Sequence, residues 1–236
     1  RDKGDLDRAI VDFGKVAQLE PKNAQAFTAL GLAYRSKGDL DRALAGFEQA
    51  VRLDPGMATA FGGRGATFGM KGDLDRAIAD LDQSVKLNPD DPRAFHNRGL
   101  AWRNKGDFGR SIADFDQAIK LDPKYATALY NRGNVFFVKK DLDRAIADYD
   151  QAIQLNPSYA AAYNSRGLAY DDKRDSDRAI ADFNQSIKLN PSDPQIYNNR
   201  GFAFRNKGET DRAIADYQQA IKLDPTYALA FYNRGV

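Results

Sequence analysis

Residues Ala24 to Met57 read AQAFTALGLAYRSKGDLDRALAGFEQAVRLDPGM, and the same pattern returns every 34 residues, at Ala58, Pro92, Ala126, Ala160 and Pro194. Each copy opens with an aromatic or Leu (Phe27, Phe61, Phe95, Leu129, Tyr163, Tyr197). A Gly follows four residues later (Gly31, Gly65, Gly99, Gly133, Gly167, Gly201), and a second aromatic three after that (Tyr34, Phe68, Trp102, Phe136, Tyr170, Phe204). The second half carries a small residue (Ala43, Ala77, Ser111, Ala145, Ala179, Ala213), an aromatic or Leu four later (Phe47, Leu81, Phe115, Tyr149, Phe183, Tyr217) and a Pro (Pro55, Pro89, Pro123, Pro157, Pro191, Pro225). Spacings of three and four gather these residues on single helix faces, so each copy predicts two amphipathic helices. Small residues facing rings let the two helices approach closely. Between them, Gly38-Asp39 and its equivalents offer a left-handed helix stop and then an N-cap. Asp54-Pro55 ends the second helix, because the residue before proline avoids the helical region.

This pattern resembles the tetratricopeptide repeat, whose W-x2-L-G-x2-Y, A-x3-F and P positions it matches along the whole chain. The resemblance implies an all-α, right-handed superhelical solenoid of antiparallel helix hairpins, with the first helices lining a concave groove. One departure is systematic. The Leu before the Gly survives as Leu30 and is otherwise Arg64, Arg98, Arg132, Arg166, Arg200 and Arg234.

The expected organisation is one array: a second-helix half repeat at 1–23, complete repeats at 24–57, 58–91, 92–125, 126–159, 160–193 and 194–227, and a first-helix stub at 228–236. The two end fragments are complementary halves of one unit. That suggests head-to-tail self-association, with Phe231 and Tyr232 of one chain covering Ala9 and Phe13 of the next. The mid-repeat ends equally allow the array to belong to a larger regulatory protein or enzyme.

Charged residues make up 29% of the chain with a formal net charge of +2, and no basic stripe stands out, so nucleic acid is not an expected partner. No apolar run approaches membrane-spanning length, so membrane insertion is not expected. With Cys 0, thiolate chemistry and disulfides are excluded and the compartment stays open, with the cytoplasm favoured. His96 is the single histidine and no ligand cluster or phosphate-cradling loop accompanies it. Neither a metal, a cofactor nor a catalytic site is therefore expected.

Two residue sets carry information. Where a complete copy has Arg before the Gly, its second helix has Asp before the aromatic or Leu: Arg64 with Asp80, Arg98 with Asp114, Arg132 with Asp148, Arg166 with Asp182, Arg200 with Asp216. The copy with Leu30 has Gly46 there. The exchange predicts Arg–Asp pairs stitching the hairpins. Just before the Arg stands a second row, Ala29, Gly63, Asn97, Asn131, Ser165, Asn199 and Asn233. It resembles the asparagine ladder of superhelical tetratricopeptide arrays, which would pair with the backbone of an extended peptide. Around it lie Arg93, His96, Arg103, Tyr130, Asn134, Phe137, Asn164, Asn198, Phe202 and Arg205. The family's carboxylate clamp needs a Lys and an Asn one turn apart on the first helix, and no copy has them. The third unit's first helix, FGGRGATFGMKG, has Gly62, Gly63 and Gly69 where most copies have side chains. It is expected to be the softest helix, or a place where a ligand backbone comes close. The expected function is a non-enzymatic scaffold binding a peptide or protein segment.

Overall fold

The structure, a computed structural model, describes residues 3–235. Among them there are α-helices and no strands: α1 (Lys3–Leu19), α2 (Ala24–Lys37), α3 (Leu40–Leu53), α4 (Ala58–Met70), α5 (Leu74–Leu87), α6 (Pro92–Lys105), α7 (Phe108–Leu121), α8 (Ala126–Val138), α9 (Leu142–Leu155), α10 (Ala160–Asp172), α11 (Ser176–Leu189), α12 (Pro194–Asn206), α13 (Thr210–Leu223) and α14 (Ala228–Gly235). They fall into two compact units, Arg1–Pro123 with α1 to α7 and Lys124–Val236 with α8 to α14. Each even-numbered helix from α2 to α12 packs antiparallel on the odd-numbered one that follows it.

Short polar signals set the helix ends. Asp39, Asp73, Asp107, Asp141 and Asp175 each accept a hydrogen bond from the backbone N–H three residues on and cap the second helices. Gly38, Gly72, Gly106 and Gly208 stop the first helices at φ between 81 and 85°. At the same register, Lys140 (φ 61°) and Arg174 (φ 63°) are forced into that left-handed region with a side chain.

The hairpin core is a ring set under a glycine. Phe47, Phe115, Tyr149, Phe183 and Tyr217 are at most 1% exposed. A Cβ at Gly167 would lie 2.7 Å from Phe183 Cε1, and one at Gly99 2.9 Å from Phe115 Cε1, so the first helix can sit this close only without a side chain. Five guanidiniums stitch the two helices of their hairpins. Arg64 reaches Asp80 with bonds of 2.6 and 2.8 Å, and Arg98 reaches Asp114 at 2.9 and 2.7 Å. Arg132 meets Asp148 at 2.8 and 2.7 Å. Arg166 meets Asp182 at 2.7 and 2.6 Å, as Arg200 does Asp216. All five are two-pronged, the strong geometry for this pair. The Asp80 carboxylate holds the Arg64 guanidinium above its ordinary pKa, and the Asp114 carboxylate does the same for Arg98. Arg98 also reaches Asp82 at 2.7 Å and Arg166 reaches Asp150 at 2.6 Å, joining each hairpin to the one before it. Around Leu30 the stitch is replaced by proximity: a Cβ on Gly46 would come within 3.0 Å of the Gly31 N and the Phe27 carbonyl.

A second repeated device escaped the sequence reading. Arg42, Arg76, Arg110, Arg144, Arg178 and Arg212 lie 3.6 to 4.6 Å over the rings of Tyr34, Phe68, Trp102, Phe136, Tyr170 and Phe204. Each sets a second-helix cation over a first-helix ring of the same hairpin.

Candidate peptide-binding groove

Within each unit, successive first helices touch: α2 with α4 and α4 with α6, then α8 with α10, α10 with α12 and α12 with α14. Successive second helices do not. A stack that is tighter on one side curves toward that side, so the first helices line the inner face of each unit. The residues expected to meet a ligand all lie on these helices, and the two inner faces differ.

In the unit Lys124–Val236 the inner polar side chains bond to one another. Asn199 Nδ2 donates to Asn164 Oδ1 at 3.1 Å, Asn233 Nδ2 to Asn198 Oδ1 at 2.9 Å, and Ser165 Oγ to the Tyr130 hydroxyl at 3.5 Å. Each rung spans 35 residues, from one first helix to the next. Asn131, Asn198 and Asn233 are buried. Asn233 of the row and Asn198 beside it thus form a buried rung between α14 and α12, where the two helices pack closely enough for their amides to meet. Asn134 accepts from the Tyr149 hydroxyl at 2.8 Å, and Tyr130 packs on the ring of Tyr159 at 4.9 Å. Phe137 lies under the Lys140 ammonium at 5.4 Å. Phe202 is exposed, with the Arg205 guanidinium 4.7 Å over its ring. Tyr217, at the register of Tyr149, has a buried hydroxyl with no hydrogen-bond partner, since Phe202 stands where Asn134 would receive it.

In the unit Arg1–Pro123 the inner face is hollow. A cleft of about 430 Å³ opens between α2, α4 and α6, with Arg35, Asn97, Arg103 and Asn104 on its polar side and Ala66, Met70 and Leu100 among its apolar residues. A second hollow of about 130 Å³ adjoins it and shares Arg35 and Asn97. Arg93 lines the smaller one, exposed and bonded to Asp91 at 3.0 Å. His96 is buried; that burial pushes its pKa down to about 4, so the ring is neutral at pH 7.

The unusual glycines of α4 make this space unequally. A Cβ on Gly63 would sit 2.4 Å from Phe47 Cε1, and one on Gly62 2.9 Å from Ser84 Oγ, so neighbouring side chains already fill those positions. At Gly69 a Cβ would meet only Ala77 Cβ, at 3.8 Å. Arg35, Gly69 and Arg103 share one register in successive copies. The sequence reading included Arg103 and Asn97 but missed Arg35, although that alternation of Arg, Gly and Arg is visible in the string.

Family models of the tetratricopeptide repeat match residues 1–58 and 103–160, 70–106 and 203–236, 160–193, and 183–215. The chain belongs to the tetratricopeptide repeat family. Residues 59–69, most of α4, fall outside these matches. Among solved structures, the tetratricopeptide fold here is similar to a chain of the APC/C hetero-tetramer Cut9–Hcn1, with TM-score 0.85 and 20% identity over 98% of this chain. This chain spans only 46% of that one. MamA is similar at TM-score 0.64 and 28% identity over 72% of this chain and 93% of its own. YrrB, described as a TPR protein with an unusual peptide-binding site, is similar at TM-score 0.57 and 18% identity over 95% of this chain and 98% of its own. No curated protein matches the sequence. Tetratricopeptide arrays are in general protein-interaction scaffolds. Among the described residues no group of His, Cys, Asp or Glu could hold a metal ion, and no helix is long and apolar enough to cross a membrane.

Proposed function

We propose that this chain is a non-enzymatic scaffold that holds an extended peptide or protein segment against the inner faces of its first helices. The cleft between α2, α4 and α6 carries this reading, because its lining combines apolar residues with a few polar groups, the usual composition of a binding site. In the other unit the inner amides are occupied by one another, so contact there falls to the exposed edges, Phe202 and Arg205 among them. Peptide-array screening of the whole chain tests the reading. Asn97→Leu, which intrudes on both hollows, is expected to abolish binding to peptides the unaltered chain selects; unchanged binding would move the site elsewhere.

A second reading, self-association through the end helices, is favoured by exposed apolar side chains on both. Phe13 is 36% exposed on α1, with Ala9 half-buried beside it, and Phe231 is 43% and Tyr232 68% exposed on α14. Sedimentation over a concentration series, repeated with Phe231 and Tyr232 both changed to Ser, tests it. Mass that grows with concentration and stops growing in the variant supports assembly, and a constant monomer mass excludes it.

A further inference from the structure

Resting on the groove reading above, we infer that the α2–α4–α6 cleft selects a peptide with an acidic side chain next to an aliphatic one, and that Arg35 is the group receiving the carboxylate. The reason lies in how this chain treats its other partly buried arginines. Arg64, Arg98, Arg166 and Arg200 are each about one-fifth exposed and each grips an aspartate with two hydrogen bonds. Arg35 is also half-buried, yet it forms no ion pair among the described residues. Its Nη1 donates to the Gly63 carbonyl at 3.3 Å, and its guanidinium lies 6.0 Å from the Phe47 ring centre. Burial alone acts on it, lowering its pKa from the ordinary arginine value while leaving it a cation at pH 7. A half-buried cation with one long neutral hydrogen bond is an incomplete arrangement that an incoming carboxylate completes.

The surroundings point to the same ligand. No Asp or Glu lines the larger cleft, while Arg35 and Arg103 both do, with Asn97 and Asn104 beside them. Charge complementarity therefore favours an anion and rejects a basic segment. The rest of the lining is glycine, Ala66, Met70, Leu81, Leu100 and Ala101, a bed for an aliphatic side chain rather than for a bare ion. Gly69 keeps the space open between the two arginine positions. The donors are arginines in the last turns of α2 and α6, a placement different from a lysine and asparagine one turn apart.

The test is an array of twelve-residue peptides whose central position is Glu, Gln or phosphoserine, with aliphatic or polar flanks and both ends blocked. It is read with the whole chain, with Arg35→Gln and with Gly69→Leu, after confirming by thermal unfolding that both variants fold. The expected result is a preference for Glu with aliphatic flanks over Gln by roughly tenfold or more, lost in Arg35→Gln and weakened as salt is raised. Gly69→Leu is expected to remove binding of the same peptides by filling the space. Phosphoserine chosen over Glu would overturn the carboxylate assignment. Binding without acidic preference, or with a preference that survives Arg35→Gln, overturns this inference and leaves the groove reading standing. If no peptide binds the unaltered chain, both fail.

Discussion

Tyr149 and Tyr217 occupy one register and differ in what their hydroxyls meet. The Tyr149 hydroxyl donates to Asn134 at 2.8 Å, whereas the Tyr217 hydroxyl is buried with no partner because Phe202 replaces the amide. Tyr149→Phe is therefore expected to cost about 1 kcal/mol, and Tyr217→Phe to be neutral or stabilising, since an unmet buried hydroxyl is itself a cost. Urea denaturation of the two variants checks the opposite signs. His96 gives a pH dependence. Its folded pKa is about 4, below the unfolded value of 6.5, so the unfolded chain binds the proton first. The stability it supports is complete above pH 6.5 and is lost as pH falls toward 4, by up to about 3 kcal/mol. Denaturation midpoints across that window should slope for the unaltered chain, and less so for His96→Asn; equal slopes would remove His96 as the cause.

Helix α4 shows how one residue type can play opposite parts within an element. Gly69→Ala adds a methyl in ordinary contact and is expected to stabilise the helix by about 0.5–1 kcal/mol. Gly63→Ala drives a methyl into the buried ring of Phe47 and is expected to destabilise by about 1–3 kcal/mol. Thermal unfolding of the pair would show the softness expected of α4 to be a property of Gly69 more than of Gly63. The turn after α10 offers a gain. Arg174 sits at φ 63° where four other hairpins have glycine, so Arg174→Gly is expected to raise stability by about 1 kcal/mol. No such gain would mean the side chain compensates the strain.

A repeat array is stabilised by its units and their nearest neighbours, so damage stays local. Asp182→Ala leaves the Arg166 guanidinium without its two-pronged partner, though Asp150 remains at 2.6 Å. The expected cost is about 2–3 kcal/mol, less than for a wholly broken buried pair. Hydrogen exchange should show protection falling in α10 and α11 and in the helices packed against them, with α2 to α5 unchanged. Uniform loss across both units would instead mean that the chain unfolds as one body.

The period, the two helices per copy and the sixteen-residue offset of Arg from Asp can all be read from the string, because they depend on spacing within one hairpin, where the backbone leaves few alternatives. The state of the inner face could not be read that way. Asn199 looks like a member of an open row with Asn164 beside it, but the distance between successive first helices decides whether two amides meet each other or a ligand. Gly63 and Gly69 are the same letter, and only the ring of Phe47, folded in from the preceding hairpin, separates a filled position from an open one. Arg35 likewise looks like any arginine until the packing of α2 against α4 half-buries it and brings no carboxylate of the described residues to it. Local spacing therefore set the scaffold, and contacts between neighbouring repeats set which of its polar groups remain available for binding.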